Sequence, residues 1–509
     1  MVKASSRRDL LVRAAAMAGA ALSPTLWTPS PARARTPDDP FTLGVASGEP
    51  TPDGMVLWTR LAPRPLDPDG GLGPEPIIVA WEVFEDEALR RPALAGRTLA
   101  VAEAAHAVHV EVAGLSPGRE YWYRFHAAGH ASAVGRTRTA PPADEATPRV
   151  RFAFGACQKY EAGFYHAHRQ LAADAPDLVL FLGDYVYEQA ATDRGVRRHP
   201  EFEARDLAGY RLRYAVYKSD PNLQAAHAVA PWMVIWDDHE VENDYSGDHG
   251  REEADPEAFL ARRAAAYQAY YEHMPLRRRS RPVGPQMLLH RTLDWGRLAQ
   301  FQFLDTRQHR TPAPPSMSKR LIQDCADRRD PTRSMLGPSQ EGWLLETLSN
   351  SQARWNLLAQ QYLMAEMCVP GGWYSSDAWD GFPVCRQRIV ERWRDARVSN
   401  PVALGGDIHT FVAGQIGPRR GAPPIATEFV GGSLTSKGRD SSLVRMVKNA
   451  NPHLKFADSA FRGYGLVDLT EKAATVTFRA VNNVKAPDSA VHDLARFVVE
   501  DGRAGVVNA

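Results

Sequence analysis

The 509-residue sequence has only 4 cysteines, so disulfide bonds cannot be what holds a chain of this size together. No run of about 18 apolar residues occurs, which gives no reason to expect stable membrane insertion. Charge of one sign is not in excess either, because 61 Lys and Arg face 60 Asp and Glu. Proteins that bind nucleic acid need a basic face, so we expect no nucleic acid as a structural partner.

The first 34 residues have the order of an export signal and are not expected to belong to the fold. Paired arginines in Ser6–Leu11 precede the alanine-rich stretch Ala14–Leu22, and Ala32–Ala34 supplies a small-x-small cleavage site. This order predicts a twin-arginine signal, with an ordinary secretory signal as the alternative. The twin-arginine export machinery is then a partner, and the mature chain is soluble and either periplasmic or secreted. Its net charge is about −3, because the signal removes more basic than acidic residues.

The remaining residues exceed one ordinary domain and predict two. Short alternating segments separated by turn residues predict a small all-β sandwich over residues 41–139. Its segment Ala113–Arg124 resembles the corner of fibronectin type III-like sandwiches, in which a tyrosine, here Tyr121 or Tyr123, bonds back to the backbone. A Pro-rich linker follows at 140–149, and an α/β layered domain at 150–485. Residues 486–509 are predicted to form a C-terminal amphipathic helix and tail.

Helical spacing in the larger domain predicts helices over residues 204–217, 256–273 and 340–350. The third of these follows Pro338 and Ser339, and Ser339 is predicted as its N-cap.

Four stretches of the larger domain run as a buried strand directly into residues that bind metals. They are Val150–Cys157, Leu178–Tyr187, Trp232–His239 and Pro401–His409. Such apolar runs are typical of strands covered on both faces, and ligands of these sheets bind beyond the carboxyl ends of the strands. A single Gly-Asp after a strand is usually a plain turn, but four such ends argue against that interpretation. We therefore expect one crevice to gather these side chains: Cys157, Asp184, Tyr187, Asp237, Asp238, His239, Asp407 and His409.

The motifs taken together resemble the PhoD-type alkaline phosphatases and phosphodiesterases, metallophosphoesterases related to purple acid phosphatases. The resemblance covers nearly the whole mature chain and rests on these segments: F-T-L-G-V-A-S-G-E-P (41–50), G-A-C (155–157), G-D-Y-V-Y-E (183–188), W-D-D-H-E-V-E-N (236–243), F-L-D-T-R-Q (303–308), A-Q-Q (359–361), G-G-D-I-H-T (405–410) and E-F-V-G-G-S-L-T-S (428–436). It implies a metallophosphoesterase domain, which is a β-sandwich flanked by helices, behind the small sandwich. It also implies hydrolysis of phosphate mono- and diesters, and we expect a monomer.

The resemblance implies a centre with one Fe³⁺ and one or two Ca²⁺. Purple acid phosphatases carry a G-D-x-x-Y motif whose Asp bridges two metals and whose Tyr binds ferric iron, and Asp184 and Tyr187 match it. Cys157, at the end of the first strand, matches the family's hallmark iron ligand, and His409 matches an iron histidine.

Carboxylates replace neutral ligands at the second metal position. Asp238 and Asp407 stand where the related motifs carry Asn and His, and this substitution suits a hard cation such as Ca²⁺. Asn243, Gln360 and Gln361 are further candidates for metal or substrate contact. The alternative for Asn243 is a turn cap, and for the two glutamines a buried amide that ties down a loop.

Two cations at such a centre lower the pKa of a bound water, and the resulting hydroxide attacks phosphorus. His239 is the candidate that donates a proton to the leaving oxygen, with a structural role as the alternative. Arg310 is a candidate phosphate clamp. Arg307 is predicted to pair with the local Asp305. The C-terminal segment 486–499 has a lid as its implied role.

Two further readings stay open at this point. Trp373, Tyr374 and Trp379 could line an apolar groove of a phospholipase D-like diesterase, or they could be ordinary loop packing. The alternative from a different functional class is a non-catalytic surface binding protein with a degenerate phosphatase domain. Of the three remaining cysteines, either Cys368 and Cys385 or Cys325 and Cys368 could pair.

Overall fold

A computed structural model describes residues 38–508, so the export signal predicted at residues 1–34 lies outside the described residues. Within residues 38–508, no helix is both long and apolar enough to cross a membrane. The strands of this range are β1 (Val45–Thr51), β2 (Gly54–Arg60), β3 (Ile77–Phe84), β4 (Pro92–Ala100), β5 (Ala107–Ala113), β6 (Glu120–Ala127), β7 (His130–Ala131), β8 (Gly135–Arg138), β9 (Arg149–Gly155), β10 (Leu178–Leu182), β11 (Pro231–Ile235), β12 (Arg291–Trp295), β13 (Ala299–Phe303), β14 (Leu321–Gln323), β15 (Trp355–Ala359), β16 (Trp373–Ser375), β17 (Pro401–Gly405), β18 (Phe411–Ile416), β19 (Ala426–Gly431), β20 (Leu454–Asp458), β21 (Arg462–Thr470), β22 (Ala473–Val481), β23 (Val491–Glu500) and β24 (Val507–Asn508). The α-helices are α1 (His166–Asp174), α2 (Leu207–Lys218), α3 (Pro221–Ala228), α4 (Pro256–His273), α5 (Gly337–Asn350), α6 (Pro383–Asp395) and α7 (Ser441–Ala450).

Two large sheets pack face to face. One has ten strands in the order β24-β23-β22-β21-β9-β10-β11-β1-β2-β5, and the other has seven in the order β12-β13-β15-β17-β19-β18-β20. Phe152 of β9 meets Phe301 of β13 edge-on at 5.3 Å between ring centroids. On the other face of the first sheet, Trp232 of β11 stacks on His227 of α3 at 3.8 Å. The result is the expected layering of mixed sheets and helices.

The parallel strands of both sheets end near the same edge. Strands β9, β10 and β11 are mutually parallel in the larger sheet, and β13, β15, β17 and β19 are parallel in the smaller one. All five residues of β10, L-V-L-F-L, are buried, because neighbouring layers cover both of its faces. The buried apolar runs thus became strands, and the polar residues that follow them lie at the strand ends.

The N-terminal region is all-β, but one of its sheets is shared with the larger region that follows it. Strand β1 pairs in parallel with β11, with Ser47 opposite Pro231, so β1, β2 and β5 extend the ten-stranded sheet. The second layer consists of β3, β4 and β6 with two short strands. The predicted tyrosine tie is made by Tyr121, whose hydroxyl accepts a hydrogen bond from the Ser116 amide at 2.9 Å.

The predicted C-terminal helix over 486–499 is wrong, and so is the lid implied for it. Residues Val491–Glu500 form β23, which pairs antiparallel with β22. A bulge explains the error. Phe478 faces Ala495 and Arg479 faces Asp493, so Leu494 is an extra residue that breaks the two-residue alternation. The apolar residues then fall at a spacing that mimics a helix.

The predicted helix over 256–273 is confirmed as α4, and the one predicted over 204–217 is confirmed as α2 but begins three residues later, at Leu207. The third predicted helix begins three residues early, as α5. Leu336 occupies the N-cap position and makes no side-chain capping bond, so the predicted N-cap Ser339 lies in the first turn instead.

Candidate metal centre

The predicted ligands converge, although their strands come from two sheets. Cys157, Asp184 and Asp238 follow β9, β10 and β11 of the ten-stranded sheet, whereas His409 follows β17 of the seven-stranded sheet. The ligand atoms of Cys157, Asp184 and His409 lie within 4.8 Å of one another. Those of Asp184, Asp238 and His239 do the same. Asp184 therefore belongs to both groups, as a ligand that bridges two cations must.

Tyr187 lies against the first of these groups. Its hydroxyl is 2.8 Å from Asp184 Oδ2 and 3.4 Å from His409 Nε2. Ser436 Oγ holds the same hydroxyl at 2.7 Å and lies 2.9 Å from the Cys157 carbonyl. The phenol, the thiol and the imidazole thus face one point together with one carboxylate.

Carboxylates dominate the second group and its surroundings. Asp407 belongs to neither group of ligand atoms, but burial together with Asp238 and Asp377 raises its pKa to about 6. Burial also raises the pKa of Asp237, to about 7, against the lowering effect of Arg307. For Asp238, burial acts in the same direction, but Arg307 and His239 outweigh it and hold its pKa below the usual value. This much buried negative charge is unfavourable unless cations neutralise it.

The unpartnered atoms indicate where such cations fit. Asp184 Oδ1 is buried and has no hydrogen-bond partner, and burial raises the pKa of Asp184 well above its usual value. Burial and the nearby Asp184 raise the pKa of the Cys157 thiol and of the Tyr187 phenol as well. A bound cation reverses these shifts, because it favours the deprotonated donors. The residues present therefore fit a two-cation centre.

His239 lies where it can serve as an acid or as a ligand. Its Nδ1 is 2.7 Å from Glu188 Oε2, and its ring stacks on Tyr187 at 4.1 Å. Burial alone would lower its pKa, but Glu188, Asp238 and Asp184 raise it well above the usual value. His239 is therefore held in one orientation by Glu188 beside both carboxylates of the second group.

Two glutamates that support the site escaped the sequence analysis. Glu240 accepts hydrogen bonds from the backbone amides of Asp184, Tyr185 and Asp237, at 3.2, 2.6 and 2.9 Å, and so joins the loops that follow β10 and β11. Glu188 accepts a hydrogen bond from the backbone amide of Asn243 at 2.9 Å, and it also orients His239. The sequence could have indicated both glutamates by their position, since each lies one residue beyond a predicted site residue.

The predicted pairing of Arg307 with Asp305 is wrong. Arg307 Nε donates to Asp237 at 2.6 Å, and its two terminal nitrogens donate to Asp377 at 3.0 Å each. From Arg307, the Asp305 carboxylate accepts a hydrogen bond of the backbone amide and none of the guanidinium, and its other donors are Trp236 and Gln308. Arg310 donates to Asp377, at 2.6 Å, and to the Thr306 carbonyl, while its second terminal nitrogen is buried without a partner. Its role as a phosphate clamp stays a prediction.

The candidate glutamines contact backbone. Gln361 Nε2 donates to the carbonyls of Trp236 and Leu304, and Gln360 Nε2 donates to that of Tyr362. Both are fully buried, which agrees with the alternative of amides that tie down loops. Asn243 is half-buried beside Glu188, and its role as a ligand stays a prediction.

The aromatic residues and the cysteines complete the set of predicted features near the site. Trp379 is fully buried and donates to Gln360 Oε1, so it does not line a groove, whereas Trp373 is 39% exposed. Neither of the two disulfides left open is formed, because all four cysteines are free.

Comparison with known proteins agrees with this geometry. Residues 152–478 match the family model of the PhoD-like phosphatases, and residues 27–141 match the model of the N-terminal domain of PhoD-like phosphatases. The chain is 41% identical to alkaline phosphatase D of Bacillus subtilis (strain 168) over 481 residues, which cover 92% of this chain and 82% of that protein. A solved structure of PhoD superposes with a TM-score of 0.89 at 41% identity, over 93% of each chain.

The chain belongs to the PhoD-like phosphatase family. The predicted resemblance and the predicted enzyme class, a phosphoric ester hydrolase with phosphatase or phosphodiesterase activity, are confirmed. The reading as a non-catalytic binding protein is thereby set aside.

Proposed function

We propose that the protein is an exported hydrolase of phosphate mono- and diesters with one Fe³⁺ and one or two Ca²⁺ at the centre described above. The observation that carries this proposal is the sharing of Asp184 by two groups of donors of different chemistry. Thiol, phenol and imidazole surround one side of Asp184 and suit a transition metal. Carboxylates surround the other side and suit Ca²⁺.

Cations held there would bind the phosphate oxygens and lower the pKa of the attacking water. The chain's own residues carry out the remaining steps. His239, oriented by Glu188 at 2.7 Å, donates the proton that the leaving oxygen needs. Arg307 bridges Asp237 and Asp377, and this bridge keeps the loop that carries Asp238 in place. The positive charge of Arg307 also offsets part of the buried negative charge.

The wider predictions belong to the same proposal. The catalytic region is a metallophosphoesterase-type sandwich, and the N-terminal region is a fibronectin III-like sandwich, which the Tyr121 tie to Ser116 supports. The paired arginines at Arg7 and Arg8 support export through the twin-arginine machinery to the periplasm or beyond. We propose a monomer.

A specific cavity favours phospholipase D-like diester cleavage as the second candidate. It has a volume of 310 Å³ and is bounded by Asp377 and Asp407 of the site. Its walls are largely apolar, formed by side chains that include Leu363, Ile408, Val447 and Leu454, while cationic side chains that include Arg320, Arg439 and Lys448 also line it. We refer to it below as the apolar cavity. Its lining suits a substrate with an apolar group attached to the phosphate.

A metal and substrate panel tests the proposal. Elemental analysis should find iron and calcium, and the protein should turn over nitrophenyl phosphate and bis(nitrophenyl) phosphate. EGTA should abolish turnover and added Ca²⁺ should restore it, because carboxylates prefer the hard cation. Activity that is indifferent to EGTA but lost with a strong zinc or iron chelator would contradict the calcium assignment. A phosphatidylcholine substrate cleaved faster than bis(nitrophenyl) phosphate would favour the second candidate.

A further inference from the structure

A second cavity, of 520 Å³, adjoins the other side of the centre. Five basic side chains line it, Lys159, Arg194, Lys437, Arg462 and Lys485, and only one acidic side chain, Glu161. We call it the basic cavity. Lys159 Nζ lies 5.5 Å from the centroid of the Tyr187 ring. The carbonyl of Lys437 lies 2.9 Å from His409 Nδ1. The basic cavity therefore shares its wall with the iron side of the site.

Most of the positive charge of the basic cavity is not paired with a carboxylate. Glu161 lies 3.1 Å from Lys159 Nζ and also accepts from the Thr192 amide at 2.8 Å. Among the described residues, none of the four other basic side chains has a carboxylate within 4.0 Å. Uncompensated cations gathered in a concave site raise the local concentration of anions. The basic cavity thus has the electrostatics of an anion site.

Arg462 shows that this site is built into the fold. Its side chain is only 8% exposed, and its guanidinium donates to the carbonyls of Ser436, at 3.1 Å, and Ser459. Gly438 leaves the room for it, because a Cβ at that position would overlap both terminal nitrogens. Burial lowers the pKa of Arg462 to about 10, against the raising effect of Asp458, and the group stays charged at neutral pH. A fixed guanidinium at the wall of the cavity attracts a phosphate by its charge.

The loop between the two cavities separates their chemistries. Lys437 lines the basic cavity, and Arg439, two residues further, lines the apolar cavity. Ser436, at the start of this loop, holds the Tyr187 hydroxyl. A substrate whose scissile phosphate lies at the metal centre therefore meets a basic pocket on one side and an apolar pocket on the other.

We propose that the basic cavity is a subsite for a second phosphate of the substrate, joined to the scissile phosphate by a short linker. The proposal rests on the proposed function for the position of the scissile phosphate. It makes esters that carry two phosphates better substrates than esters that carry one.

Two chromogenic esters that differ by one phosphate test it. The first is thymidine 5′-nitrophenyl phosphate, and the second is the same ester with an added 3′-phosphate. Release of nitrophenol from both gives a ratio of kcat/KM, from which differences in folding or metal loading cancel. The added phosphate should raise kcat/KM about ten- to 150-fold, the contribution of a hydrogen bond to a charged group. Arg194→Ala combined with Lys485→Ala should bring the ratio close to one.

A charge-matched control excludes a general field effect. Arg64→Ala combined with Arg503→Ala removes two exposed cations that pair with Asp67 and Glu500 outside the cavity, and it should keep the wild-type ratio. A wild-type ratio near one would overturn the subsite, and so would a ratio that the Arg194 and Lys485 changes leave unaltered.

If neither ester is turned over, the proposed function itself is contradicted. The subsite is then tested by measuring nucleotide affinity. Calorimetry of the full protein should then show thymidine 3′,5′-bisphosphate binding at least tenfold more tightly than thymidine 5′-monophosphate. The same double change should remove that difference. Equal affinities for the two nucleotides would overturn the subsite independently of catalysis.

Discussion

Glu188 should control the chemistry of His239 without binding metal. Its Oε2 lies 2.7 Å from His239 Nδ1, and its Oε1 accepts a hydrogen bond from the backbone amide of Asn243 at 2.9 Å. Glu188 is 2% exposed, so water cannot replace the bond. In Glu188→Gln, the amide oxygen can still accept from Asn243, but an NH₂ group then faces the imidazole. The charged hydrogen bond that orients His239 is lost.

The size of the effect follows from that bond. A hydrogen bond to a charged group contributes about 1.5–3 kcal/mol, which corresponds to about a ten- to 150-fold change in rate. General acid catalysis as a whole contributes about 10²–10⁴-fold, so His239→Ala sets the upper limit. Glu188→Gln should therefore lower kcat for an alkyl phosphate ester by about ten- to 150-fold. The loss should be smaller for nitrophenyl esters, because nitrophenolate leaves with little need of a proton.

The assay compares kcat for the two leaving groups in wild type, Glu188→Gln and His239→Ala, with metal content measured in each. Glu341→Gln is the matched control. It removes another buried carboxylate, which pairs with Arg388 and accepts from Ser334 outside the site. It should leave the leaving-group dependence unchanged even if stability falls.

Two results would refute this reasoning. If Glu188→Gln slows good and poor leaving groups equally, Glu188 does not act through proton donation. If His239→Ala loses a metal ion, His239 is a ligand of the second group, and the role of general acid assigned to it is wrong.

Three further predictions address the centre and the core. The isolated protein should be coloured, because thiolate and phenolate ligands on ferric iron give charge-transfer absorption, and Tyr187→Phe should shift or bleach the band; a colourless active protein with zinc alone would sink the iron assignment. Asp184→Asn should lose metal and activity together, as elemental analysis and turnover would show, and retention of both metals would contradict bridging. Burial lowers the pKa of His109 to about 4 and those of His227 and His273 well below 6.5, so these groups favour folding above the unfolded pKa of about 6.5. The three together contribute a loss of up to about 4 kcal/mol per pH unit below that pH, but buried carboxyls such as Asp380 and Glu428, whose pKa burial raises to about 7, act in the opposite direction. NMR titration of the imidazole resonances from pH 7 to pH 5 follows the histidines alone, and rings that gain a proton near pH 6.5 would contradict their burial as neutral rings.

Much of the site could be predicted from sequence because buried strands have a simple signature. The apolar five-residue core of β10 is fully buried, and the polar residue that follows such a core lies at the strand end. Asp184 could therefore be assigned to the centre from its place in the chain. The same reasoning found Cys157, Asp238 and His409, and the ligand groups bring them together.

The rest depends on contacts between distant segments. Nothing near Arg307 in the chain indicates that it pairs with Asp377, because the two are brought together by the fold alone. The division of the strand ends between two sheets is equally hidden, since β9 and β17 have the same apolar pattern. At β23 the spacing of apolar residues wrongly predicted a helix, because the extra residue Leu494 shifts the two-residue alternation of the strand.

Backbone conformation links these observations to the chemistry of the centre. Cys157, Asp184, Asp407 and His409 all have positive φ, at 60°, 56°, 55° and 51°. Each such residue costs about 1–2 kcal/mol relative to ordinary backbone, so no local preference of the sequence produces this arrangement. The buried strands before these residues fix where the chain leaves each sheet, and the sharp turn then directs the donor atoms to the shared edge. Asparagine tolerates the left-handed region as aspartate does. Asp184→Asn therefore changes the charge and donor strength of the bridge while its backbone stays allowed, whereas Asp184→Val would confound metal loss with strain.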